Sequence, residues 1–148
     1  MDLIATTWGE WAALPLRIVL GIIFIVHGYP KFFKVPPIGG PKGFAGFLQQ
    51  MSVPYPMFFA WVVAVVEVIG GICLILGLLV RLWAPLMAID MAVAIWKAKL
   101  PQGGWRGGFT RMDTTGYEFD LINLASALAL LILGSGALGL DRLLGLPF

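Results

Sequence analysis

Apolar residues fall into four long runs, separated by stretches rich in proline, glycine and charge. The pattern predicts membrane-crossing helices over residues 11–29, 56–79, 82–100 and 117–138. The second run is the reference point. Residues 60–81 read AWVVAVVEVIGGICLILGLLVR, with one carboxylate, Glu67, near the middle. Gly70 and Gly71 follow three and four residues later, on the helical face that carries Glu67. A charge at that depth costs about 2.5–3.5 kcal/mol on insertion scales. Glu67 therefore calls for a partner, a proton or a wet cavity.

In the first run, Pro15 lies in the opening turns, where proline is tolerated. Arg17, Gly21, Phe24, Gly28 and Lys31 recur at helical spacing and form one stripe, with His27 beside it. Small residues on such a stripe let helices approach closely in lipid. The connector over 31–54 is broken by Pro36-Pro37 and Gly39-Gly40-Pro41. Phe44, Phe47, Leu48 and Met51 then mark a short amphipathic helix, expected at the membrane interface or capping the bundle.

The third run carries Asp90 and Lys97 on one helical face, with Ala94 between them. They stand about 10 Å apart along the axis, too far for direct contact unless the side chains lean together. Lys97 is close enough to the end to snorkel. Residues 101–116 read as a loop, with a candidate hairpin at Gly107-Gly108. At the fourth run Glu118 and Asp120 stand at the mouth, with Asn123 and Ser126 a turn deeper. Gly134 and Gly136 read as tight packing, and Asp141-Arg142 ends the run.

Four crossings put both termini on one side. Trp8, Trp11 and Trp83 then form one interfacial belt, and Tyr29, Tyr55, Trp105 and Tyr117 the other. Lys31, Lys34, Lys42, Lys97, Lys99, Arg106 and Arg111 fall on the connector side; Arg17, Arg81 and Arg142 fall on the terminal side. The positive-inside rule assigns the connectors to the cytoplasm and both termini to the outside. The first ten residues hold Asp2 and Glu10 and no basic residue, so the first run is expected to remain as an anchor.

Composition agrees with lipid as the solvent. The 148 residues are 59% hydrophobic and 12% charged, against about 25% charged in soluble domains. The length suits a single domain over 1–148. A net charge of +2 without a basic run gives no reason to expect nucleic acid. One cysteine, Cys73, cannot form an internal redox pair and reads as apolar packing. One histidine, His27, excludes a two-histidine haem or metal site within one chain, and no metal is expected.

Two polar clusters follow. The connector-side cluster is His27, Lys31, Glu67, Lys97, Glu118 and Asp120, with Asp90 and Asn123 deeper. It reads as a buried ion-pair network that fixes helix register, as a site for a polar head group, a quinone ring or a proton path, or as a contact with a partner subunit. A carboxylate beside a histidine and a lysine is suited to proton exchange. The terminal-side cluster, Arg17, Arg81 and Asp141, reads as a salt-bridge staple tying the turn between runs two and three to the last helix.

The stretches LRIVLGIIFIVHGYPKFF, GFAGFLQQMSVPYP, EVIGGICLILGLLVR and GYEFDLINLASALALLILGSGALGLD resemble, in order, the DoxX family of small bacterial membrane proteins. The carrying features are His27-Gly28-Tyr29-Pro30-Lys31, Glu67 followed by Gly70-Gly71, Arg81 opening the third helix, and Gly116-Tyr117-Glu118 opening the fourth. Pro30 and Asp90 look less usual for the family. The resemblance implies an all-α four-transmembrane-helix bundle, with the short amphipathic helix between helices one and two, in the bacterial inner membrane. It does not imply a reaction.

Relatives associated with membrane redox systems, including the small subunit of thiosulfate–quinone oxidoreductase, motivate one functional reading. That reading is a small subunit of a quinone-linked oxidoreductase, not catalytic alone, docked on a larger partner. It would line a quinone or lipid site with His27, Lys31, Glu67 and Glu118, and hold no covalent cofactor. A second reading is a proton-coupled carrier, which would need a dimer. A third is a structural or assembly protein, with membrane lipid and other subunits or its own copies as partners.

Overall fold

Helix α1 lies against α3 closely enough that no side chain fits between their backbones. A Cβ on Gly21 would stand 2.7 Å from the Gly71 carbonyl oxygen, and one on Gly71 would stand 2.8 Å from that of Gly21. These glycines turn two apolar helices into a pair that meets backbone to backbone. The computed structural model describes residues 3–102, 104–111 and 116–146, without the side chains of 3–7, 106 and 107. Gly103 and residues 112–115 of the predicted loop, and Asp2 of the N-terminal reading, lie outside the described residues, as does the Arg106 side chain.

The elements are α1 (Leu3–Phe32), α2 (Gly40–Gln50), α3 (Pro56–Leu76), α4 (Val80–Val93), α5 (Gly104–Gly107), α6 (Tyr117–Leu133) and α7 (Leu140–Leu143). A π-helical segment, Ala94–Lys99, and a 3-10 turn, Leu100–Gln102, follow α4 directly. Among the described residues there is no strand. Helix α1 packs on α3 and α4 on α6, while α3–α4 and α1–α6 contacts close the ring. Leu20, Phe24, Leu74, Val80, Met87, Ala127 and Leu130 are among the side chains that fill its centre. The outward faces are apolar too: Ile22, Val26, Ile72, Ile89 and Ile132 are all exposed.

Among the described residues, two helical stretches are long and apolar enough to cross a membrane, Trp8–Phe32 and Pro56–Leu76. Helix α4 has 14 residues and α6 has 17.

Several boundaries differ from the sequence pattern. Helix α1 begins at Leu3, so Pro15 is internal rather than in the first turns. Helix α3 ends at Leu76, where Gly77 turns left-handed (φ 67°). Leu78 N–H then donates to Cys73 O at 2.8 Å and Gly77 N–H to Leu74 O at 3.0 Å, a closure that glycine favours. Helix α6 stops at Leu133, not at 138, because Gly134 (φ 71°), Gly136 (φ 62°) and Leu138 (φ 57°) fold the chain back. Gly134 is a turn residue here, whereas Gly136 both turns the chain and packs tightly on α1, where a Cβ on it would stand 2.8 Å from Ala13 Cβ. The last residues form the separate short α7, which contains Asp141 and Arg142.

Residues 104–107 form the short α5 in place of a hairpin. Helix α2 buries Phe44, Ala45 and Leu48 against α3, whereas Phe47, expected on that face, is exposed. In the predicted belts, Trp8, Trp11, Tyr29, Tyr55 and Trp105 are exposed. Tyr117 is buried instead, because its hydroxyl donates to Trp105 O at 2.6 Å.

Candidate functional site

Glu67 sits midway along α3 and is 2% exposed. The last turn of α1 brings Lys31 to it, with Nζ 2.6 Å from Oε1. Gly28 makes this possible: a Cβ there would stand 2.6 Å from Glu67 Cβ. Helix α2 closes the site from the connector side. The Lys31 ammonium lies 4.8 Å from the centre of the Phe44 ring, close enough for a cation–π contact. The amphipathic helix thus acts as a cap, and its Phe44 makes a contact with Lys31 that the apolar pattern alone does not distinguish from core packing.

Helix α4 adds Asp90, half-buried, within side-chain hydrogen-bond reach of Glu67. Lys31 and Asp120 are its other charged neighbours. Helix α6 adds Asp120 and Asn123, 8% and 3% exposed. Asp120 has Lys99, His27 and Lys31 as its ionisable neighbours. Four helices therefore each contribute to one buried polar region.

The other predicted members lie further out. His27 is exposed; its Nδ1–H donates to Ile23 O at 2.9 Å and its ring lies against Phe119, centroids 5.4 Å apart. Lys97 does not join the cluster. It lies on the π-helical segment, whose wider winding takes it off the Asp90 face. Its Nζ stacks over Trp96, 4.5 Å from the ring centre. Glu118 is half-buried, with Oε2 beside Gly116. Ser126 donates to Ile122 O of its own helix at 2.8 Å rather than to Asn123.

The sequence set Asp90 in one cluster with Glu67 but aligned it along its helix with Lys97. Its direct approach to Glu67 was signalled only by a second acid inside an apolar run.

Hydrogen bonding in the cluster is incomplete. Among the described residues, Glu67 Oε2, Asp90 Oδ2, Asp120 Oδ2, Glu118 Oε2 and Asn123 Nδ2 are sealed from solvent and meet no hydrogen-bond partner. Four of these five atoms are acceptors. A buried unpaired polar atom costs about 1–3 kcal/mol, so such a concentration asks for an explanation.

At the terminal end, Asp141 (0% exposed) accepts from Leu79 N–H at 2.6 Å and Val80 N–H at 3.0 Å. Its carboxylate thus caps the N-terminus of α4. Arg17 donates to Ser135 O, and Arg81 to Ile132 O at 3.3 Å. The expected staple exists, but its links run from side chain to backbone rather than as salt bridges.

Two clefts are described, and neither is lined by Glu67. One, about 350 Å³, lies among Glu10, Arg81, Ser135 and Arg142. The other is an open groove of about 550 Å³ lined by Phe47, Gln50, Met51, Trp96, Lys97 and Gln102.

Residues 12–100 match the family model DoxX. A Bacillus subtilis protein named "Putative oxidoreductase CatD" is 35% identical over 133 residues, 89% of this chain and 86% of that protein. "Uncharacterized membrane protein Rv3486" of Mycobacterium tuberculosis is 33% identical, over 90% of this chain and 82% of its own length. "Inner membrane protein YphA" of Escherichia coli is 29% identical, over 85% of each. No solved structure matches the chain.

Proposed function

The chain belongs to the DoxX family of membrane proteins, and from that premise we propose that it is a small multi-pass subunit of a quinone-linked oxidoreductase assembly in the bacterial inner membrane. It works with a larger redox partner rather than alone. The observation that carries this reading is the Lys31–Glu67 pair, held at 2.6 Å between the two stretches apolar enough to cross a membrane. Buried ions in that setting mark functional sites by default. The redox part is supported by the name of the Bacillus subtilis relative, which speaks of that protein.

In this reading α4 with its π-helical continuation, and α6, are the third and fourth crossings. Val80 to Lys99 is an unbroken helical run, about 30 Å long at helical rise, or one hydrocarbon thickness. Helix α6, at about 25 Å, is accommodated by local thinning of the bilayer. The quinone or lipid head group is received in the groove of about 550 Å³, not beside Glu67. Phe47 and Trp96 offer ring faces there, and Gln50, Gln102 and Lys97 offer donors to carbonyl oxygens.

Gentle solubilisation followed by identification of co-purifying proteins and extracted quinone tests the proposal. Redox subunits and a quinone are expected, with the quinone reduced several-fold in a Trp96→Ala/Lys97→Ala variant. Isolation of the chain with neither would sink it.

A further inference from the structure

We propose that Glu67 and Asp90 form a carboxyl–carboxylate pair that holds a single proton between α3 and α4. The inference does not rest on the redox reading, since it concerns only groups within this chain.

The argument is one of donors and acceptors. Glu67 Oε1 is met by Lys31 Nζ at 2.6 Å. Glu67 Oε2 and Asp90 Oδ2 are sealed and find no donor, although the two side chains lie within hydrogen-bond reach. Ionised carboxylates only accept, so two of them in contact are mutually satisfied only when one carries a hydrogen. The O–H of one then donates to the oxygen of the other.

Charge gives the same answer. With one proton the pair carries one negative charge, which the Lys31 ammonium balances. Without it, two negative charges would face one positive charge in a region where Glu67 is 2% exposed, and an uncompensated charge is strongly disfavoured in such a place.

The groups facing the pair do not remove the need. On α1, Lys31 is already bonded to Glu67. On α6, Asp120 adds a further negative charge, with Lys99 and His27 as its own neighbours. Among the described residues of this cluster the unmet donor is Asn123 Nδ2, which cannot serve every unmet oxygen. Loading is then a simple equilibrium. A hydronium ion gives its proton to one carboxylate oxygen of the dianionic pair and leaves as water, and release to water restores two carboxylates. Asp120, with exposed His27 among its neighbours, stands on the connector side of this pair.

Infrared spectroscopy of the purified full-length chain in detergent tests the pair. A carbonyl band of a protonated carboxyl that shifts in deuterated water is expected at neutral pH. Glu67→Gln, Asp90→Asn and the double variant should each remove the same band area, because one proton is shared. Lys31→Met should add about as much area again, since the balancing ammonium is gone. Glu10→Gln should change nothing.

Asp90→Asn keeps the side-chain shape and supplies an N–H donor, so it reads the pair even where Glu67→Gln fails to fold. Three results would overturn the proposal: no such band in the wild type, a band that survives Asp90→Asn, or a double variant that removes twice the area of either single one.

Discussion

The two ends of the bundle use buried charge differently. At the terminal end, Asp141 gives both carboxylate oxygens to the N–H groups of Leu79 and Val80, and Arg17 bonds to the Ser135 carbonyl. Gly77 and Gly139 leave room for the guanidinium; a Cβ on either would collide with it. Unmet atoms described there are donors, Arg17 Nε and Trp83 Nε1, and the latter lies at the Cys73 thiol. At the connector end most unmet atoms are acceptors: Glu67 Oε2, Asp90 Oδ2, Asp120 Oδ2 and Glu118 Oε2. The first end closes as a joint of side chains on backbone groups. The second is left with a surplus of acceptors, which the single proton proposed above would partly meet.

The contrast breaks most easily at Asp141. Asp141→Ala removes two charge-assisted bonds to buried backbone N–H groups, each worth about 1.5–3 kcal/mol. It also removes the carboxylate nearest Arg17. The expected loss is about 3–5 kcal/mol, read from unfolding in detergent micelles. A loss below about 1 kcal/mol would mean that the terminal end is not the joint described here.

Asp90→Asn sharpens the contrast from the other side. In the proposed pair one proton bridges Asp90 and Glu67, and an amide at position 90 keeps a hydrogen bond in its place, since Oδ2 meets no other donor among the described residues. The amide N–H₂ supplies a permanent donor toward Glu67. Stability should change by less than about 1 kcal/mol, with either sign, in the same unfolding assay. A loss as large as that of Asp141→Ala would make the connector end structural as well.

The four long helices were legible because apolar runs, prolines and glycines mark them without tertiary information. The Lys31–Glu67 pairing was legible for a related reason: charges at depth in lipid have few places to go. What failed depended on departures from regular winding. Lys97 was aligned with Asp90 on an ideal helix, but a π-helical segment lies between Asp90 and the end of the run. Gly134 looked like a packing residue, since the same amino acid serves both close approach and left-handed turns. The backbone acceptors of Arg17 and Arg81 leave no trace in residue types, which is why a salt-bridge staple was read where carbonyls do the work. Tyr117 was assigned to a belt because aromatic position says nothing about a carbonyl waiting at Trp105.

The smallest expected effect lies at the rim of the terminal end, where Arg142 pairs with Glu10 across the two ends of the chain. The contact looks like part of the latch, but its setting differs from that of Asp141. The side chains are 58% and 37% exposed, and exposed pairs gain little after screening and lost side-chain entropy. The segment is already held by Ala137 N–H donating to Glu10 O at 2.9 Å and Asp141 N–H to Gly77 O at 2.9 Å, bonds that do not involve the Arg142 side chain. Arg142→Ala should therefore cost no more than about 0.5 kcal/mol, and added salt should reproduce the effect in the wild type. A loss comparable to that of Asp141→Ala would move the joint outward, from the buried carboxylate to the surface pair.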